Sequence, residues 1–246
     1  MLLAVFGAAS YHFGFFRFSY PSVARYPIRG IDVSHHQGRI DWQRVAVDEV
    51  TFAYIKASEG GDWRDPLFAA NYDGAAAAGL AVGAYHFFTL CRDGLSQAQN
   101  FIALVPDSAL PPAIDLEYVG NCKTRPSVEN FLIELSAFTD AIEAHYGVKP
   151  IIYTTRSFYR DYLAASPIGT DSLWVRDLFG TASWPKDREA LFQQYASNGR
   201  HAGIEGPVDL NIFLGSKEDF LRLIMWQALR RHHTELNGLS PTGSLC

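Results

Sequence analysis

Pro111-Pro112-Ala113-Ile114-Asp115-Leu116-Glu117-Tyr118 ends a loop in two prolines, enters a short apolar run and sets two carboxylates two residues apart. On a β-strand, Asp115 and Glu117 share one face while Ile114 and Leu116 take the other. Two like charges held close in a low dielectric raise each other's pKa. An enzyme can use that to keep one carboxyl protonated and another ionised near neutral pH. A solvated strand end would show the same D-x-E, so the rest of the chain decides its meaning. Seven other short runs have strand character: Pro27 to Ser34, Thr51 to Ala57, Leu80 to Phe88, Lys149 to Thr154, Ser172 to Val175, Leu191 to Tyr195 and Val208 to Phe213. Helical segments are expected between most of them: Asp41 to Val47, Pro66 to Gly79, Asp93 to Val105, Ser127 to Tyr146 and Phe158 to Ala165, with a last one from Lys217 to about Leu229. The alternation predicts an α/β fold with a parallel sheet, and eight strands predict a closed, TIM-like (β/α) barrel. The connections after the sixth and seventh strands are short and poor in helix, so the barrel is expected to be irregular, with some helices short or missing. Such folds place their sites on loops at the carboxyl ends of the strands.

The length of 246 residues suits one large domain, and 48% hydrophobic with 14% aromatic residues is ample for its core. A net charge of −5 speaks against a nucleic-acid partner. Residues 27–229 are read as the barrel, residues 230–246 as a polar tail, and residues 1–26 as a leader and linker. The stretch from Met1 to Phe16 carries no charge and is followed by Arg17, Arg25 and Arg29. It is shorter than the ~20 residues a helix needs to span a bilayer and lacks a basic start. It is read as an export signal or as a membrane tether through residues 1–18. The protein is therefore expected to be periplasmic, membrane-anchored or secreted, and monomeric. Cys91, Cys122 and Cys246 match no zinc spacing. Cys91 and Cys122 follow strand-like runs and are expected in neighbouring loops, where an exported protein could bridge them.

Asp32, Asp115, Glu117 and Asp209 fall at or near the carboxyl ends of the first, fourth and eighth predicted strands. Tyr85, Tyr153, Trp174, Gln194 and Tyr195 fall at the ends of the third, fifth, sixth and seventh, with Lys56 and Arg176 placed to balance the acids. A mouth of four acids and many rings suits a neutral sugar polymer, since rings stack on sugar faces and acids exchange protons with glycosidic oxygens.

In order along the chain, Gly30-Ile31-Asp32-Val33-Ser34-His35-His36-Gln37-Gly38, Tyr54-Ile55-Lys56-Ala57-Ser58-Glu59-Gly60, Gly83-Ala84-Tyr85-His86-Phe87, Asp115-Leu116-Glu117, Ile152-Tyr153-Thr154, Leu173-Trp174, Gln194-Tyr195 and Val208-Asp209-Leu210-Asn211 are similar to the motifs of the family 25 glycoside hydrolases. These are the Chalaropsis-type lysozymes, or N-acetylmuramidases. The resemblance covers roughly residues 28 to 225 and implies an irregular β/α barrel. It also implies cleavage of the β-1,4 bond between N-acetylmuramic acid and N-acetylglucosamine in peptidoglycan glycan strands, without a cofactor. By the same resemblance Glu117 would be the general acid, Asp115 would orient the 2-acetamido group, and Asp32 and Asp209 would complete the acidic site. The chain departs from the family where Val175-Arg176-Asp177 replaces a small residue and an aromatic after Leu173-Trp174. An arginine there suits a peptide-stem carboxylate, a lactyl carboxylate or a loop acid.

Two other readings compete. Asp32, His35 and His36 form a small group of metal-ligand types, as a metal-dependent polysaccharide deacetylase would need. Adjacent loop histidines rarely bind one ion, and no H-E-x-x-H occurs, so no metal site is expected. A non-catalytic peptidoglycan-binding barrel would keep the groove without needing all four acids. No G-x-S-x-G elbow exists for a serine hydrolase.

Overall fold

The computed structural model describes residues 17–164, 166, 172–180, 184–185, 188 and 190–238, with side chains beyond 226 described only at Leu229. The stretch from Met1 to Phe16, Cys246 and the end of the tail lie outside the described residues.

Nine strands form one sheet: β1 (Arg29–Val33), β2 (Val50–Glu59), β3 (Trp63–Arg64), β4 (Ala81–Phe87), β5 (Ala113–Leu116), β6 (Ile151–Thr155), β7 (Leu173–Arg176), β8 (Ala190–Gly199) and β9 (Val208–Phe213). All but the short β3 close into an eight-stranded barrel in the order β1-β9-β8-β7-β6-β5-β4-β2, sealed by a β1–β2 pairing. β3 folds back as an antiparallel flap on the end of β2. Helices α1 (Trp42–Val47), α2 (Phe68–Ala77), α3 (Gly94–Ile102) and α4 (Val128–Tyr146) pack outside, and α5 (Lys217–Gly238) follows the last strand. Asp41, Asp93 and Ser127 cap α1, α3 and α4 by accepting from backbone N–H groups of the first turn. Helix α5 runs on to Gly238, past Leu229 where the sequence reading ended it.

The period-2 rule sorts the strand residues into two cores. Ala53, Ile55, Ala57, Val82, Ala84, Ile114 and Leu116 face the helices. Phe52, Tyr54, Ala113, Ile151, Trp174, Phe192 and Phe213 fill the barrel itself. The interior is so full of rings that the neighbouring strands carry glycine beside them: a Cβ on Gly30 would lie 2.4 Å from the Phe52 ring, and one on Gly83 2.4 Å from Tyr54. This aromatic plug closes the barrel below and leaves room for polar groups only at the mouth.

The expectation of an all-parallel sheet is corrected at one strand. β9 runs antiparallel to both β8 and β1. Residues 200–207 hold no helix, and a parallel return needs a crossover of a dozen or more residues. A hairpin is what so short a link allows. Asp209 consequently reaches the mouth from the amino-terminal end of its strand.

Candidate active site

Inward positions near the mouth carry the chemistry. β1 supplies Asp32, β4 Tyr85, β5 Asp115, β6 Tyr153, β7 Trp174 and β9 Asp209, and Glu117 stands one residue past β5. Together they line a cavity of about 90 Å³. The chain reversal at β9 sets Asp209 directly opposite Asp32 as an antiparallel pair, a position in which side chains lie about 4.5–5.5 Å apart. The two carboxyls hydrogen-bond to each other, with the proton on Asp32.

Burial pushes all four acids up. It holds Asp32 well above the usual carboxylate range, the charge of Asp209 adds to it, and a hydrogen bond from Asn211 opposes it. Burial, then the charge of Glu117, hold Asp115 well above the usual carboxylate range as well, against the charge of Lys56. Asp209 rises to about 6, mainly by burial, with Arg176 and hydrogen bonds from Asp32 and Gln194 pulling it down. Glu117 is raised to about 7 by burial, opposed by Arg176, raised further by Asp209 and lowered again by Lys56. The result is a carboxyl, Glu117, that still keeps part of its proton population near neutral pH, beside an Asp209 that titrates lower.

Hydrogen bonds fix the walls. The Tyr153 hydroxyl donates to Gln194 Oε1 at 2.7 Å, and Gln194 in turn serves Asp209. Trp174 Nε1 donates to Asn211 Oδ1 at 2.9 Å, and Asn211 Nδ2 donates to Asp32 Oδ2 at 2.7 Å. Asn211 is a positioning residue the sequence reading passed over. The signal was available, since it stands two residues after Asp209 on the same strand face. One acceptor is left over: Asp115 Oδ1 is buried without a hydrogen-bond partner among the described residues. A buried acceptor without a donor is costly, and the cavity is where a ligand N–H would meet it.

Most of the residues singled out from the sequence converge here, and Tyr195 does not. It follows the inward Gln194 and therefore points outward, where its hydroxyl accepts from Arg29 Nη1 at 3.1 Å. Lys56 lies inward at the rim, bound to Glu59 Oε2 at 2.7 Å and set over the Trp63 and Phe87 rings. Arg176 forms no ion pair with any described carboxylate, so its charge is felt by Glu117 and Asp209 through space. His35 is taken by Asp65, through its backbone N–H at 2.8 Å and its ring Nδ1 at 3.0 Å. Among the described residues no three His, Cys, Asp or Glu groups cluster as metal ligands. His86 sits between Ser58 and Gln97 and is pushed down to about 3 by burial, so it is a neutral wall residue. Cys91 and Cys122 are free thiols, close enough for Cys91 to raise Cys122 by hydrogen bonding after burial has done so.

The family model of Glycosyl hydrolases family 25 matches residues 31–204. The chain belongs to this family. An uncharacterized protein of Escherichia coli K12, YegX, is 36% identical over 203 residues, covering 80% of this chain and 73% of its own length. Lysozyme M1 of Streptomyces globisporus is 31% identical over 214 residues, covering 80% and 71%. A family 25 glycosyl hydrolase structure from Bacillus anthracis superposes with a TM-score of 0.77 at 36% identity, covering 83% of this chain and 96% of the other. A family 25 barrel with this acidic mouth is a glycoside hydrolase.

Proposed function

We propose that the chain is a muramidase that hydrolyses the β-1,4 bond between N-acetylmuramic acid and N-acetylglucosamine in peptidoglycan, with Glu117 as the general acid. The observation that carries the reading is the pairing of a Glu117 carboxyl protonated to about pH 7 with the unpartnered Asp115 Oδ1 beside it. Glu117 gives its proton to the glycosidic oxygen as the bond to C1 breaks. The 2-acetamido carbonyl oxygen of the same sugar closes on C1, and its N–H donates to Asp115, which stabilises the positive charge that develops there. Water then attacks C1, Glu117 takes its proton, and the ring opens back to the acetamide. Asp32 and Asp209, bridged by one proton, hold substrate hydroxyls and keep negative charge near C1. Two carboxyl roles separated by environment are the usual device of glycosidases, and substrate assistance replaces the enzyme nucleophile in some.

Glu117→Gln tests the assignment. The expected outcome is a loss of at least ~100-fold in release of reducing ends from purified peptidoglycan, with glycan binding retained. Near-normal turnover would sink the assignment. A second part of the proposal is that the protein works outside the cytoplasm, with residues 1–18 as export signal or tether. The uncharged run from Met1 to Phe16 supports it. Fusing residues 1–26 to a reporter active only outside the cytoplasm tests it, and a silent reporter refutes it.

A further inference from the structure

Among the described residues no hydrogen bond reaches the Glu117 carboxyl; burial and the charges of Arg176, Asp209 and Lys56 act on it. Its place in the mouth is therefore set by its backbone. The strand ladders stop short of that backbone. The β5–β6 register ends at Leu116, opposite Thr154, and next to β4 the Phe88 N–H donates to the Asp115 carbonyl at 3.1 Å. Past that point a side chain takes over. Gly120, with φ of 79°, lets the chain turn tightly from Tyr118 to Asn121, and the Asn121 N–H donates to the Tyr118 carbonyl at 3.2 Å. The turn brings the Asn121 amide back to Glu117. Its Nδ2 donates to the Glu117 carbonyl at 3.0 Å and to the Phe88 carbonyl at 2.8 Å. Its Oδ1 accepts from the Leu90 N–H at 2.9 Å and the Cys122 N–H at 3.0 Å. Both amide protons and both lone pairs are used. The segment it grips is itself anchored, because Gln97, buried on α3, accepts from the Thr89 N–H at 2.8 Å and donates to the Thr89 carbonyl at 3.1 Å. A continuous run of hydrogen bonds leads from α3, through the loop after β4, to the residue that carries the acid.

We propose that Asn121 is a positioning residue for Glu117: its amide stands in for the missing strand ladder, holds the backbone of the acid and so fixes where the carboxyl points. The proposal rests on the muramidase reading and adds to it how the acid is aimed. A general acid must stand within hydrogen-bond reach of the oxygen it protonates, and a displacement of about 1 Å can cost on the order of 100-fold in rate. The role needs donor and acceptor on one short side chain. Aspartate has the shape but would turn an acceptor toward two carbonyls, and alanine would leave both unserved. The titratable and charged groups that face Glu117 are Asp32, Lys56, Asp115, Tyr153, Arg176 and Asp209, on six different strands of the barrel. Asn121 hydrogen-bonds to none of them, so its removal acts on Glu117 through the backbone.

The experiment uses Asn121→Ala and Asn121→Asp in the full chain, with two readouts. One is the release of reducing ends from purified peptidoglycan, measured well below the melting temperature of each variant. The other is a carbon-13 NMR titration of the Glu117 carboxyl in the wild type and in Asn121→Ala. In both variants kcat is expected to fall at least about tenfold while KM changes less than about threefold. The Glu117 pKa is expected to drop below its wild-type value in Asn121→Ala, because a loosened carboxyl gains water and burial is what raises it. A residue that only supports the fold would lower Tm and leave kcat and the titration alone, and that result overturns the proposal. Should the alanine variant not fold, Asn121→Asp decides: it keeps the shape and the acceptor, and a wild-type kcat in it also overturns the role. A wild type that releases no reducing ends overturns the muramidase reading instead, and the Glu117 titration then decides the clamp by itself.

Discussion

Asp209→Asn should make this protein more stable and less active, and the size of the gain follows from the site. Asp209 has its pKa raised from 3.8 to about 6 in the fold, chiefly because it is buried. An acid whose folded pKa is raised binds protons more tightly in the folded than in the unfolded state. Below pH ~4 both states are protonated and nothing is lost; between the two values stability falls as pH rises; above pH ~6 the full penalty stands. A shift of about two units is worth about 3 kcal/mol. Coupling to Asp32 and Glu117 spreads the titration over the cluster, so about 2–3 kcal/mol is the working figure. Asparagine keeps the shape and can still accept from Asp32 or Gln194, and it has no charge to bury.

The assay is thermal unfolding of wild type and variant at about pH 7.5 and about pH 3.5, since the linked term is present at one and absent at the other. For a chain of this size the gain corresponds to roughly 5–10 °C at the higher pH and close to nothing at the lower. A gain of equal size at both pH values would show that the effect is packing and not burial of charge. A loss at the higher pH would refute the reasoning altogether. Activity should move the other way. Removing the negative neighbour lowers the pKa of Glu117, so less of the acid is protonated at neutral pH, the usual exchange of function for stability at an active site.

Three further outcomes are expected. The kcat/KM profile should have an alkaline limb near pH 7, where Glu117 loses its proton, and Arg176→Gln should move that limb upward because the arginine holds the pKa down; a limb that stays in place dissociates Arg176 from the acid. Tyr195→Phe should lower stability by about 1 kcal/mol through the lost Arg29 hydrogen bond while kcat/KM changes less than about twofold, the scale of a surface substitution; a large activity loss would return Tyr195 to the mouth. If the protein is exported, the Cys91 and Cys122 thiols should oxidise to a bridge, adding about 3–4 kcal/mol of stability by closing the loop between them; mass spectrometry showing both thiols free in exported material would contradict this.

The strands, the plug of rings and the four acids were legible because each follows from a local rule. Short apolar runs end in Gly, Pro or polar turns, and alternate residues share a face. Where the sequence reading failed, the same rule had been applied incompletely. Taking Gln194 and Tyr195 together as mouth residues ignores that neighbours on a strand point apart. Stopping at Asp209 overlooks Asn211 on the same face. The direction of β9 was harder, because an apolar run looks the same in either sense, and only the length of residues 200–207 argues for a hairpin. The arginine-lined cleft at the ends of β6 and β7 was least legible of all. Arg156 and Arg160 come from the connection after β6 and Arg176 from the end of β7, a neighbourhood that exists only after the barrel closes, and only Arg176 sits in a motif that draws notice.

That closure is also what makes the acids work. In an all-parallel barrel, Asp209 near the amino end of its strand would lie at the bottom, among the rings of Phe52 and Phe192, with no partner for its charge. The reversed strand lifts it to the mouth and sets it against Asp32, where one proton serves both. Its negative charge then reaches Glu117 and helps hold the acid's pKa near 7. The short hairpin between β8 and β9 is therefore part of the proton chemistry as well as the topology. A barrel closed in the usual sense would keep the same four acids in its sequence and lose the arrangement that separates their roles.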